Sequence, residues 1–254
     1  MSESSHQERL DPAPSRDPAP LEAVGPATDL VLEYSLIGDP PAPVVLFLHG
    51  ITGSRHYFFK KVRSLARHYR LLLADLPGFG ESPKPRTAYT IDFYRQTVRN
   101  TIMAAGCEND PIHIVGHSLG ALIAVDYAVH HSDHVRRMVL LGLPRFEDSR
   151  VAHESFWKGS PNYRRLLNEH SMAENVAQWR RTGLPMMVSY IFRFPFAVIR
   201  DSRKFTLNSL TSTLENCLIN YRVDPLLARM EPRPVLMIHG RRDQVAPFDN
   251  IACL

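Results

Sequence analysis

Cysteine is scarce in this chain: Cys107, Cys217 and Cys253 are the only three in 254 residues. They are too few and too scattered for a disulfide framework or a zinc site, and they fit a reducing compartment, so a cytoplasmic location is expected. Long apolar runs are missing too. No stretch of about 18 uninterrupted apolar residues occurs, so a conventional membrane span is not expected. The opening MSESSHQERLDPAPS is polar and has no apolar core, which excludes reading it as a secretory signal. Lysine is rare, at five of the 30 basic residues. No basic run is interleaved with base-stacking aromatics, which argues against a nucleic-acid module. The pattern G-x-x-x-x-G-K-[ST] is absent, so a phosphate loop is excluded.

What remains is ordinary globular composition, 44% hydrophobic and 22% charged, with a formal net charge of +4. The charge is unevenly placed. Residues 145–222 carry twelve basic and seven acidic side chains, and the rest of the chain is close to neutral. A basic segment of this kind favours anionic substrates or a lipid surface, and it also fits a plain solvated face.

Residues 1–29 hold Pro12, Pro14, Pro18, Pro20 and Pro26 among Ala, Ser and charges. Such a segment buries too little apolar surface to offset its ordering entropy and reads as a disordered tail. From Leu30 short apolar runs alternate with amphipathic stretches. Strands are predicted over 31–36, 44–48, 70–74, 112–115 and 139–141, with helices over 57–68, 92–105 and 121–129. VVLFL is a continuous apolar run, as expected for a strand covered on both faces, and RLLLA reads as another buried strand. This alternation predicts βαβ units and an α/β fold, a mostly parallel, doubly wound sheet.

The alternation stops after Pro144. Residues 145–224 read as a helical cap insertion, with helices predicted over 163–170, 172–181, 185–200 and 205–220. PVLMI at 234–238 returns to the strand pattern. The expected division is a first core part at 30–144, a cap at 145–224 and a second core part at 225–254. No internal repeat is visible.

Four loops follow predicted strands, where ligand crevices form in parallel sheets. The sharpest is Gly116-His117-Ser118-Leu119-Gly120, between the strand IHIV and the apolar helix ALIAVDYAV. A Ser at such a strand–turn–helix junction exposes its Oγ, the glycines allow strand and helix to approach, and the Leu119 N–H can stabilise an oxyanion. The competing role for Ser118 is a helix N-cap. His49-Gly50-Ile51-Thr52-Gly53-Ser54 follows VVLFL and can aim the Ile51 N–H at developing negative charge; His49 reads as shaping the turn. Asp75-Leu76-Pro77-Gly78-Phe79-Gly80-Glu81-Ser82 reads as a tight loop in which Asp75 makes structural hydrogen bonds. Asp243, in the loop after PVLMIH, stands where an acid that orients a histidine would be, with Asp148 and Glu147 as alternatives.

HGITGS, DLPGFGES, GHSLGA and HGRRDQVAP, in this order and spacing, resemble the α/β-hydrolase superfamily. They are similar in particular to its abhydrolase-1 group of esterases, lipases, C–C hydrolases and haloperoxidase-like enzymes. The resemblance runs from about Leu30 to Pro247 and is only generic over the cap. It implies Ser118 as nucleophile, Leu119 and Ile51 as oxyanion-hole donors, Asp243 as acid, and no cofactor or metal. A Ser at 118 departs from the epoxide-hydrolase and haloalkane-dehalogenase branches, which carry Asp there.

A serine nucleophile needs a base. In this fold the order is Ser, acid, His, and none of the twelve histidines follows Asp243. The resemblance also places one more strand and a helix beyond Asp243, for which eleven residues leave no room. The expectations are a truncated product of a longer gene, a catalytically dead binding or scaffold protein, or substitution by His49, His117 or His239. The cap holds Phe156, Trp157, Tyr163, Trp179, Met186, Met187, Tyr190, Phe192, Phe194, Phe196 and Phe205. These either shape an apolar pocket or pack the cap onto the core. The expected partner is an apolar small-molecule ester. Membrane-surface contact stays a secondary expectation.

Overall fold

In the computed structural model, residues 29–159 and 200–254 are described. The predicted helices at 163–170 and 172–181 lie outside them, as do the expected tail at 1–29 and the predicted helix at 185–200 apart from Asp29 and Arg200.

Six strands are present among the described residues: β1 (Tyr34–Ile37), β2 (Val44–Leu48), β3 (Arg70–Ala74), β4 (Ile112–His117), β5 (Val135–Leu141) and β6 (Val235–Ile238). They form one sheet in the order β1-β3-β2-β4-β5-β6. β1 runs antiparallel to β3 and every other pairing is parallel. The register stacks Leu46 beside Leu72 on one side and Ile114 on the other, then Ile114 beside Met138 and Met138 beside Val235. All five residues of β2 and of β3 are buried, and both are apolar throughout apart from Arg70 at the start of β3, which pairs with Asp110 at 2.7 Å.

Helices cover both faces. Leu46, Leu48, Leu72, Ile114, Met138 and Leu140 point into the larger core with α2 (Ile91–Ala104) and α3 (Leu119–His130). Val45, Phe47, Leu71 and Leu73 point the other way, onto Phe58 of α1 (His56–Val62). α2 begins where the Thr90 hydroxyl caps the Phe93 N–H at 3.2 Å, and it buries Phe93, Tyr94, Val98 and Ile102. α3 is apolar all round and buried from Leu119 to Ala128, because it lies across the middle of the sheet.

Three elements differ from the expected pattern. The predicted helix at 57–68 is α-helical only to Val62 and continues as a tight 3-10 turn, Arg63–Arg67. The predicted helix at 205–220 is α5 (Leu207–Thr213), followed by a π-helical turn over Leu214–Ile219. Thr206 caps α5 through a reciprocal bond with Ser209. Thr213 bonds the buried Tyr94 hydroxyl at 2.7 Å, tying this segment to α2. β6 has the composition of a buried strand, yet only Val235 and Met237 pack on the core. Leu236 and Ile238 are about half exposed, because β6 is the edge of the described sheet. α4 (Ser149–Gly159) and the single turn α6 (Asp224–Leu227) complete the described helices. Among the described residues no helix is long and apolar enough to cross a membrane.

Candidate active site

β4 passes into α3 through one residue, Ser118, whose φ of 52° lies in the left-handed region. Its N–H donates to the Leu141 carbonyl at 2.9 Å, and its carbonyl accepts from the Ala121 N–H at 2.8 Å. The side chain makes no capping hydrogen bond, so the N-cap role considered for it is not filled. Strain without a structural return at a strand–helix junction marks a side chain held for another purpose. Leu119 is the first residue of α3, so its N–H has no partner within the helix.

The flanking glycines are sterically required. A Cβ on Gly116 would stand 2.3 Å from the Gly120 carbonyl oxygen, and one on Gly120 would stand 2.1 Å from that of Leu48. Gly120→Ala is therefore expected to cost about 3 kcal/mol by overpacking strand against helix. A urea midpoint equal to the parent's would contradict this.

The turn after β2 packs directly against this elbow. A Cβ on Gly50 would lie 3.2 Å from the Ser118 Cβ and 2.9 Å from His117 Nδ1. Ile51 thus follows a backbone pressed onto Ser118, and the Gly53 N–H closes the turn on the Gly50 carbonyl at 3.0 Å. His49 is fully buried. Its Nδ1–H donates to the Gly50 carbonyl at 2.7 Å, and its Nε2 accepts the Leu76 N–H at 2.8 Å. Both ring nitrogens are engaged in shaping the turn, and burial holds its pKa down. The His117 ring stacks on Tyr57 at 5.0 Å. Burial first, then the neighbouring His49, lowers its pKa to about 4, against the opposing pull of Asp243.

Asp75 behaves as a structural loop residue. It is fully buried and accepts the Arg55 N–H at 2.6 Å, Arg55 Nη1 at 3.0 Å and the Glu81 N–H at 2.8 Å. Gly80 is needed beside it, because a Cβ there would fall 2.4 Å from its Oδ2.

Asp243 lies past β6. Its Oδ1 accepts the Val245 and Ala246 N–H groups, both at 2.9 Å. Its Oδ2 is 4.0 Å from His239 Nε2 and 3.7 Å from where a Gly142 Cβ would stand, at the end of β5. β5 neighbours β4, so the carboxylate sits one strand from the elbow. His239 Nε2–H donates to the Ala246 carbonyl at 2.5 Å. Of the alternative acids, Asp148 accepts the Val151 N–H at 2.8 Å and so caps α4, while Glu147 is exposed. Among the described residues no imidazole is hydrogen-bonded between Asp243 and Ser118. No cluster of three or more His, Cys, Asp or Glu side chains that could hold a metal is found among them either.

Of the aromatics expected in the cap, Phe156 and Phe205 are buried in the main core, whereas Trp157 is part-exposed and stacks on His153. Tyr163, Trp179, Met186, Met187, Tyr190, Phe192, Phe194 and Phe196 lie outside the described residues. Two features of the site escaped sequence reasoning. Thr52 has a positive φ of 58°, and Asp201 is a buried carboxylate bonded to Ser54 and His56.

Residues 43–169, half of the chain, match the model of the alpha/beta hydrolase fold family. The chain belongs to the α/β-hydrolase family. Among curated proteins it is 37% identical over 135 residues to a probable lysophospholipase, BODYGUARD 4 of Arabidopsis thaliana, covering 49% of this chain and 32% of that one. It is 28% identical over 211 residues to the 2-hydroxy-6-oxo-6-(2'-aminophenyl)hexa-2,4-dienoic acid hydrolase of Metapseudomonas resinovorans, covering 82% and 70%. The chain thus spans about a third of the first of these relatives. A hydrolase structure from Pseudomonas aeruginosa PA01 superposes with a TM-score of 0.66 at 22% identity, over 85% of this chain and 78% of that one, a likeness of fold.

Proposed function

We propose that this chain carries the nucleophile, oxyanion hole and acid of a serine hydrolase acting on an ester or related carbonyl of an apolar small molecule. The observation that carries this reading is Ser118, strained at φ 52° and free of any capping bond. Its Oγ attacks the carbonyl carbon as the hydroxyl proton passes to an imidazole base. The tetrahedral oxyanion is held by the Ile51 and Leu119 N–H groups, one from the turn packed on the elbow and one from the start of α3. The imidazolium returns that proton to the leaving group, and water, deprotonated by the same imidazole, then hydrolyses the acyl-enzyme and frees the Ser118 hydroxyl. Asp243 keeps Oδ2 available to orient an imidazole and to stabilise the imidazolium. Family membership and relatives named as hydrolases support hydrolysis in general. The choice of a serine acyl-enzyme rests on the residues.

A second reading, a non-catalytic binding or scaffold protein, is favoured by one observation. His49 has both ring nitrogens committed, and His239 donates to a backbone carbonyl. Fluorophosphonate treatment in imidazole buffer, which supplies the base that Ser118 needs, followed by peptide mass spectrometry separates the two. A single adduct on Ser118 is expected. A folded chain that takes no adduct on Ser118 supports the binding protein.

A further inference from the structure

The turn at residues 49–54 ends between two buried carboxylates. Asp75, from the loop after β3, takes the Arg55 N–H and guanidinium. Asp201 belongs to the described segment that begins at residue 200. It accepts the Ser54 hydroxyl at 3.1 Å and His56 Nδ1–H at 2.7 Å on the same oxygen, Oδ2. Its other oxygen faces Arg200 Nε and Lys204 Nζ, both at 2.9 Å. Lys204 also pairs with Glu81 of the Asp75 loop. Three consecutive residues, 54 to 56, are therefore held by carboxylates from two remote parts of the chain. The Asp201 side chain is 1% exposed and Ser54 is fully buried. A buried carboxylate is costly unless each lone pair finds a donor, and here four donors converge on it.

Two residues before Ser54 stands Thr52 at φ 58°. A β-branched residue rarely adopts this conformation and keeps it only where its surroundings over-determine it. The turn bond from Gly53 to Gly50 holds one end. The other end is Ser54, and its hydroxyl bond goes to Asp201.

We propose that Asp201 is a positioning residue for the oxyanion turn: through Ser54 and His56 it fixes the strained backbone that carries the Ile51 N–H. The segment leading into α5 and the turn beside Ser118 then form one mechanical unit, although 145 residues separate His56 from Asp201. The inference rests on the serine-hydrolase reading for its catalytic meaning and not for its geometry.

The test reads the two separately. Asp201→Asn and Ser54→Ala are each expected to speed amide hydrogen exchange at Ile51, Thr52 and Gly53 by about tenfold, the effect of losing a hydrogen bond to a charged group. Amides 124–128 of α3 should keep the parent's protection. Fluorophosphonate labelling of Ser118 should slow in proportion, with its half-saturating reagent concentration unchanged. Ser54→Ala removes one bond and no charge, so it covers the case in which Asp201→Asn fails to fold. Unchanged exchange at the turn in a folded variant overturns the positioning role, whatever Ser118 does. Faster exchange at the turn in a protein whose Ser118 never labels upholds the positioning role and defeats the hydrolase reading.

Discussion

Ser118→Gly is expected to be inert toward a fluorophosphonate and yet to melt above the parent protein. The two effects have one source. Ser118 carries a Cβ at φ 52°, a region that L side chains rarely occupy and in which strain of about 1–3 kcal/mol is typical. Glycine removes that strain. It also gains entropy in the unfolded chain, which takes back about 0.4–1 kcal/mol. The expected net gain is about 1 kcal/mol, or about 2–4 °C for a chain of this size. The Oγ is lost at the same time, and with it the covalent route, so labelling should fall at least about a thousandfold. Ser118→Ala separates the two. It keeps the Cβ in the strained region and loses the Oγ, so it should be equally inert without melting later. The pair is read by thermal melts and by adduct formation on intact protein. A Ser118→Gly protein that melts no later than Ser118→Ala removes the strain argument. One that labels like the parent removes the nucleophile.

A site that gives up stability in this way is legible in sequence because its demands are local. Gly116 and Gly120 are needed within a few residues of Ser118, and the strand and helix around them have strong periodic signatures. The same holds for β2 and β3, whose burial on both faces leaves apolar residues everywhere but at Arg70. Asp75 was legible for a similar reason, since its partners Arg55 and Glu81 lie on loops at one edge of the sheet. β6 was not legible in full. VLMI reads alike whether one face or two are covered, and the exposure of Leu236 and Ile238 depends on what lies beside the strand. The end of α1 at Val62 was hidden because the apolar spacing of 57–68 continues through a 3-10 turn. Asp201 was invisible for a stronger reason. In the sequence it is one acid between two basic residues, Arg200 and Arg203, in a segment with an excess of charge. Only the tertiary fold sets it against Ser54 and His56. Local pattern reveals what a residue does to its own element, and long-range pairing of polar groups carries no periodicity to read.

The polar interior that pattern conceals should also set the acid limit of the protein, which is expected to lose stability steeply between pH 6.5 and about 4. His117 is pushed from 6.5 to about 4 by burial and by the proximity of His49. An imidazole with a folded pKa below its unfolded value binds fewer protons in the folded state, so its contribution is complete above pH 6.5 and is lost as pH falls. One such group gives a slope of about 1.4 kcal/mol per pH unit, and His117 alone accounts for about 3 kcal/mol by pH 4. His49 acts in the same direction, since its pKa is lowered by burial. There the cause has a visible geometry: Nε2 accepts the Leu76 N–H, and a proton on that nitrogen would break the bond that joins the turn to the Asp75 loop. Asp201 takes over at lower pH. Burial pushes its carboxyl up, but the bonds from Arg200, Lys204 and His56 outweigh burial and hold it below the usual 3.8. A depressed carboxylate stabilises the fold above its unfolded pKa and stops doing so as pH falls toward its folded value. Urea unfolding at pH 7, 6, 5 and 4.5 measures the histidine part. His117→Gln should flatten the slope by about one proton, and His49→Gln should flatten it while loosening the turn. A midpoint that stays constant from pH 7 to 5 would mean that both imidazoles gain protons as freely in the fold as outside it. The contact between the turn at residues 49–54 and the elbow, which keeps them neutral, would then be looser than the distances from Gly50 to His117 and Ser118 imply.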